Sequence, residues 1–119
     1  MHGDEHNKIL IPCLNGYICV LLEKIIHVQS NGNSCTFFLA DKSTIASSHN
    51  LGYFESRLVE GDFMRVHESH IINFRHINRY VKGDGGILQM DDGSEVDVAR
   101  RHKHDLVKEL VRRWGCPAQ

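Results

Sequence analysis

The chain has 119 residues, with Lys+Arg 14 against Asp+Glu 15 and a hydrophobic share of 41%. A chain of this size buries roughly two thirds of the surface it exposes when unfolded, so it folds without metal or disulfide, and disorder is excluded. The longest apolar run, residues 18–22, is too short to span a bilayer. Asp4, Glu5, His6 and Asn7 stand where a signal peptide would need its apolar stretch. The sequence therefore reads as one soluble cytoplasmic domain over 1–119, with its core at about 8–114, and its net charge of −1 speaks at first against a polyanionic partner.

Residues 8–13 (KILIPC) and 17–22 (YICVLL) are strand-like runs separated by Leu14-Asn15-Gly16, a short hairpin signal, and Pro12 marks the first run as an edge strand. Residues 25–29 predict a third strand. The Ser30-Asn31-Gly32-Asn33 turn leads into a fourth over 35–40, and Asp41-Lys42-Ser43 into a short fifth through Ile45. Leu51, Phe54 and Leu58 recur at helical spacing behind Ser47, Ser48 and Asn50 as candidate caps, and Gly61-Asp62 ends that short helix. Extended segments follow at 63–66, 69–73, 77–82, 86–90 and 95–98, divided by Gly83-Asp84-Gly85-Gly86 and Asp91-Asp92-Gly93-Ser94. Leu106, Val107, Leu110, Val111 and Trp114 then give an amphipathic helix that opens near Arg100 and stops at Gly115-Cys116-Pro117. The fold class is mostly β, short antiparallel strands and hairpins with one short middle helix and one C-terminal helix.

Cys13, Cys19, Cys35 and Cys116 show no Cys-x-x-Cys spacing, and the first three lie in apolar runs where a thiol behaves as a small buried hydrophobe. His67-x-x-His70 and His102-x-His104 place imidazoles close in sequence without the further ligands a zinc site needs, so the nine histidines read as surface polar residues and no metal is expected. No phosphate-cradling glycine loop opens a helix, no nucleophile elbow is present, and Asp91, Asp92, Glu95 and Asp97 lie in and beside a hairpin turn. No enzymatic activity, cofactor or small-molecule substrate is expected.

Charge is unevenly spread. Residues 1–64 carry four basic and seven acidic residues, a net of −3, whereas 65–119 carry ten and eight, a net of +2. Within that half, Arg65, Arg75, Arg79 and Lys82 form one basic stretch, and Arg100, Arg101, Lys103, Lys108, Arg112 and Arg113 a second. Such clusters form a footprint for a polyanion even in a near-neutral chain, although Lys108, Arg112 and Arg113 read as a solvated helix face.

The segment 63–77, FMRVHESHIINFRHI, carries a specific signal. Phe63, Arg65, Val66, His67, Ser69, Ile71, Ile72 and Asn73 occur in the order of an apolar residue, Arg, a hydrophobic residue, His, a variable residue, Ser, and an apolar strand ending in Asn. With EKIIHVQSNGNSCTFF before it and GSEVDVARRHKHDL after it, the chain from about 8 to 110 resembles the LytTR-type DNA-binding domain of bacterial response regulators. The resemblance implies a β fold that binds duplex DNA through loops in successive major grooves, two protomers reading promoter direct repeats in two-component transcription regulation. It implies three contact loops: Asn31-Gly32-Asn33-Ser34 between two strands, the His67-Glu68-Ser69 corner after Arg65, and Ala99-Arg100-Arg101-His102 at the entry to the last helix. An arginine at a strand-to-helix junction reaches a guanine edge bidentately, which points to Arg101 as the base reader. Arg100, Lys103, Arg65 and Arg75 suit phosphates, and Asn33, Ser34 and Ser69 suit either. Glu68, Ala99 and Ser34 depart from the family's commoner residues and thin the contact set. The alternative reading is a protein-interaction or inhibitory module of the same fold with weakened DNA contacts.

Overall fold

A computed structural model describes residues 7–58 and 61–115. Ten strands and two α-helices follow in the order β1 (Lys8–Cys13), β2 (Gly16–Leu21), β3 (Ile25–Asn31), β4 (Ser34–Leu39), β5 (Thr44–Ser47), α1 (Leu51–Leu58), β6 (Phe63–His67), β7 (His70–Asn73), β8 (Ile77–Val81), β9 (Ile87–Met90), β10 (Glu95–Asp97) and α2 (Arg100–Trp114). Every strand pair is antiparallel. The centre is a five-stranded sheet in the order β5-β4-β3-β7-β6, flanked by the two-stranded β1-β2 and the three-stranded β10-β9-β8.

The central sheet is covered on both faces, which is why β3 begins with four consecutive buried residues, Ile25, Ile26, His27 and Val28, and does not alternate. On one face Ile9, Ile11 and Val20 of the hairpin join Leu51, Phe54 and Leu58 of α1 over Val28, Phe37 and Ile71. Phe54 meets Phe37 edge-on, ring centroids 4.8 Å apart. On the other face Leu88, Met90, Val96 and Leu106 of α2 pack over Ile26, Val66 and Ile72. Each fully buried Leu, Ile or Phe contributes about 1.5–3 kcal/mol relative to an exposed one, so two apolar layers suffice for a chain with little helix.

Local chemistry sets the boundaries. Asn50, not Ser47 or Ser48, caps α1: its Oδ1 accepts the Tyr53 N–H at 2.9 Å. Ser47 is buried and donates its hydroxyl to the Pro12 carbonyl, tying β5 to β1. The first hairpin turns on Leu14-Asn15, one residue earlier than Asn-Gly, because Gly16 pairs with Cys13. Asn73, 1% exposed, donates to the Ile25 carbonyl and accepts the Arg75 N–H, closing the far end of the sheet. Two sequence expectations are corrected here. Cys19 is exposed and only Cys35 is a core thiol, burial raising its pKa to about 11, while Cys13 is half-buried and Cys116 lies outside the described residues. Arg113 is not a solvated side chain: it pairs with Asp62 at 2.8 Å and lies over the Phe74 ring, and with Glu109 and Arg112 it pins the last turn of α2.

Candidate nucleic-acid interface

Three loops meet at one end of the central sheet. The β3–β4 turn passes through Gly32, whose φ of +79° suits glycine, and presents exposed Asn33 and half-buried Ser34. The neighbouring β6–β7 corner carries His67, Glu68 and Ser69, and the Ser30 N–H donates to the Ser69 carbonyl at 2.9 Å, joining the two turns. The Ala99 N–H donates to the Val66 carbonyl at 2.8 Å, which sets the start of α2 beside the same corner. Asn33, Ser34, His67, Glu68, Ser69, Arg100, Arg101, His102 and Lys103 therefore belong to one surface. Backbone bonds between loops hold them together, which a local sequence pattern cannot reveal.

A β-bulge between Arg65 and His67 shapes the corner. Arg65 donates from Nε to the His67 carbonyl at 3.2 Å, from Nη1 to Glu55 at 2.7 Å, and from Nη2 to the Glu68 carbonyl. All three sides of its guanidinium are occupied, so Arg65 clamps the corner to α1. The ordering is completed by His67, whose Nδ1 accepts the Ser69 N–H at 3.0 Å. Arg75 is placed at the opposite end of the β6–β7 hairpin, where it pairs with Asp62 at 2.8 Å. The structure does not bring it to the loop cluster. Glu55, the partner of Arg65, gave no sequence signal, because the two lie ten residues apart on a helix and a strand with no shared period.

The start of α2 is electropositive. Its cap residue Ala99 makes no side-chain capping bond, and the first turn holds no acidic residue. Arg100 and Arg101 instead add positive charge to the positive pole of the helix, an arrangement that disfavours the isolated fold by about 0.3–1 kcal/mol and favours a bound anion. Arg101 is exposed. Arg100 reaches Asp84 only at 3.8 Å with both side chains largely in solvent, and Lys103 Nζ donates to the Gly83 carbonyl at 3.1 Å. Burial first, then neighbouring Arg101 and Arg65, push the His102 pKa below its ordinary value.

Behind the corner, His27 overturns the reading of all histidines as surface residues. It is 3% exposed, stacks on Phe38 with centroids 4.4 Å apart, and has no hydrogen-bond partner on either ring nitrogen among the described residues. His70 stands edge-on to it at 6.4 Å and 5.2 Å from His67. Burial lowers the His27 pKa from 6.5 to about 4, against the opposing pull of Asp92. The unfolded chain takes up this proton below 6.5 and the folded chain does not until about 4, so stability falls across that window as pH is lowered. The expected loss is about 3 kcal/mol. Denaturant titrations at pH 7 and pH 4.5 check it: His27→Leu should lose markedly less stability between the two than the natural chain.

No helix among the described residues is long and apolar enough to cross a membrane. The LytTr DNA-binding domain model matches residues 15–111. The sensory transduction protein LytT of Bacillus anthracis is 30% identical over 110 residues, covering 91% of this chain and 44% of that protein. The heme-containing CO-sensing transcriptional regulator RcoM 1 of Paraburkholderia xenovorans (strain LB400) is 31% identical over 106 residues, covering 87% and 39%. The chain thus spans less than half the length of these curated relatives. A solved LytTr DNA-binding domain of a putative methyl-accepting/DNA response regulator from Bacillus cereus superposes with a TM-score of 0.74 at 24% identity, covering 87% of this chain and 96% of that one, a likeness of fold. With the corner motif, its bulge and the basic start of α2 all in place over that matched span, the chain belongs to the LytTR family of DNA-binding domains.

Proposed function

We propose that this DNA-binding domain of transcription regulation reads duplex DNA sequence-specifically through the three-loop end of its central sheet, at promoter direct repeats that seat two protomers. The observation that carries the reading is the joining of the β3–β4 turn, the β6–β7 corner and the uncapped start of α2 by the Ser30–Ser69 and Val66–Ala99 bonds. Three short projections on one rigid end enter successive grooves as one body. Arg101 donates to a guanine edge. Arg100, Lys103 and the backbone N–H groups of Arg100 and Arg101 hold phosphates, and Asn33, Ser34 and Ser69 supply uncharged donors. Glu68 is exposed and its carbonyl, not its carboxylate, is engaged by Arg65. Its carboxylate is free to accept from a cytosine amino group, and at phosphate it would repel.

Selection of bound sequences from a random duplex pool tests the reading. Enrichment of a motif repeated in the same orientation supports it; no enrichment, or an inverted repeat, contradicts it. A second expectation concerns Arg65. Arg65→Ala removes three donors from the corner while leaving the exposed cations in place, and affinity for the selected duplex should fall about tenfold with a loss of about 1–3 kcal/mol in stability. Arg65→Lys should fail to restore either, because an ammonium cannot span three acceptors set in a fork. Mobility-shift and denaturant titrations of both variants check this.

A further inference from the structure

The most exposed large apolar side chain among the described residues belongs to none of the three loops. Leu14, 93% exposed, forms the tip of the β1-β2 hairpin with Asn15, and Tyr17 just behind it is 70% exposed. Scattered exposed hydrophobes need no explanation, but these two stand at a turn that the fold carries to the loop end of the sheet.

Hydrogen bonds and register fix that placement. β1 starts at the far end, where Lys8 pairs with Leu21 and the carbonyl of the next residue, Leu22, accepts from the Asn73 side chain. It runs toward the loops, and its Pro12 carbonyl accepts the Ser47 hydroxyl at 2.7 Å and the Ser48 N–H at 3.2 Å. Ser47 in turn stands opposite Cys35, the neighbour of Ser34. Pro12, Ser47 and Cys35 therefore mark one level of the fold. Leu14 and Asn33 each lie two residues beyond it, so both turns project by about 7 Å. With neighbouring strands about 5 Å apart and packed sheets about 10 Å apart, Leu14 comes within roughly 10–15 Å of Asn33, about one major-groove width.

The chemistry of this flank fits a duplex. Residues 9–22, 30–40 and 43–54, which make the first hairpin, the β3–β4 turn with its strands and the connection from β5 into α1, contain no Asp or Glu in a chain with 15 acidic residues. Nothing there repels phosphate. The same three stretches contain no Lys or Arg, so a contact from them adds no ionic attraction and falls on the uncharged groups of DNA. The apolar group that a duplex offers in its major groove is the thymine methyl.

We propose that the tip of the β1-β2 hairpin is a fourth DNA-contacting element, in which Leu14 packs against a thymine methyl at the flank of the site, outside the base pairs read by the β3–β4 turn. The inference rests on the three-loop reading above and extends it. Leu14 separates thymine from cytosine by shape, because cytosine lacks the methyl, while Asn15 and the Tyr17 hydroxyl are placed to donate to the adjoining phosphates.

The test uses the duplex selected from the random pool. Leu14→Ala changes an exposed turn residue and should keep the melting temperature of the natural chain, yet bind about three- to fivefold more weakly through loss of one small apolar contact. The slope of log affinity against log salt should not change, since no charge is removed. Leu14→Met keeps the apolar reach and should bind within about twofold of the natural chain. Replacing thymines one at a time by deoxyuridine removes the methyl alone. At one flanking position the natural chain should lose the same factor, about three- to fivefold, and Leu14→Ala should lose nothing further. Unaltered affinity of Leu14→Ala, a changed salt slope, no recovery in Leu14→Met, or losses that add at every thymine overturns the contact while leaving the three-loop reading intact. Failure of the natural chain to bind any duplex removes both.

Discussion

Arg101→Ala should weaken binding to the selected duplex by about 1–3 kcal/mol, roughly five- to 150-fold, and should relax preference at one base pair while leaving the melting temperature of the free protein unchanged or slightly raised, as a cation leaves the positive pole of α2. Arg101 is exposed at the start of α2, beside a corner whose position is fixed by the Val66–Ala99 bond, so its guanidinium is delivered without contributing to the fold. Three variants separate a base contact from a phosphate contact. For a base reader, Arg101→Lys keeps the charge and loses the bidentate fork, so specificity should fall almost as far as with alanine. Arg100→Ala, at a phosphate, should weaken all sequences alike and lower the slope of log affinity against log salt by about 1. Mobility-shift titrations on the selected duplex and on single-base variants of it check both.

Gly85→Ala should be the most damaging single methyl in the chain. A Cβ at Gly85 would lie 1.8 Å from the Val98 carbonyl oxygen and 2.9 Å from the Ala99 carbonyl carbon. These are backbone atoms, so no side chain can swing aside. The Gly83–Gly86 turn packs directly against the segment that opens α2, and the Gly85 carbonyl also accepts the Tyr80 hydroxyl at 2.6 Å. Accommodating the methyl therefore shifts β8–β9 or the start of α2, at a cost of about 3 kcal/mol, a fall of roughly 10–15 °C in melting temperature. DNA affinity should fall with it, since Arg100, Arg101 and Lys103 ride on the displaced turn. Gly52→Ala provides the contrast: its Cβ would meet only the Asn50 side-chain oxygen at 3.6 Å, so the gain in helix propensity makes it neutral or stabilising by up to about 1 kcal/mol. Thermal melts of the two variants check the pair.

The strands and helices were largely legible because their signals are local. The helical spacing of Leu51, Phe54 and Leu58 and that of Leu106, Leu110 and Trp114 located α1 and α2, and turn residues separated the strands. Side-chain environments were less legible. His27 looks like any polar residue in a strand, and only covering of both sheet faces buries it. Cys19 sits in an apolar run yet faces out, because it pairs with Leu10 on the outer face of a hairpin that covers the sheet on one side only. Arg65 and Arg75 both stand in a basic stretch, but the β6–β7 hairpin carries them to opposite ends and opposite carboxylates, Glu55 and Asp62. The opening inference from net charge is corrected in the same way. A total of −1 is a sum over the whole chain, whereas Arg100 and Arg101 stand together at one helix pole whose first turn holds no acid, with Asp84 near Arg100 at 3.8 Å across the surface.

The salt dependence of binding to the duplex selected from the random pool tests the central claim most directly. A domain that meets DNA with a few loop cations should show log affinity falling linearly with log salt at a slope of about −2 to −5, with Arg100→Ala shallower by about 1 and Arg75→Ala, at the far end of the sheet, unchanged. A slope near zero, or a loss from Arg75→Ala as large as that from Arg100→Ala, would contradict the placement of DNA on the three-loop end.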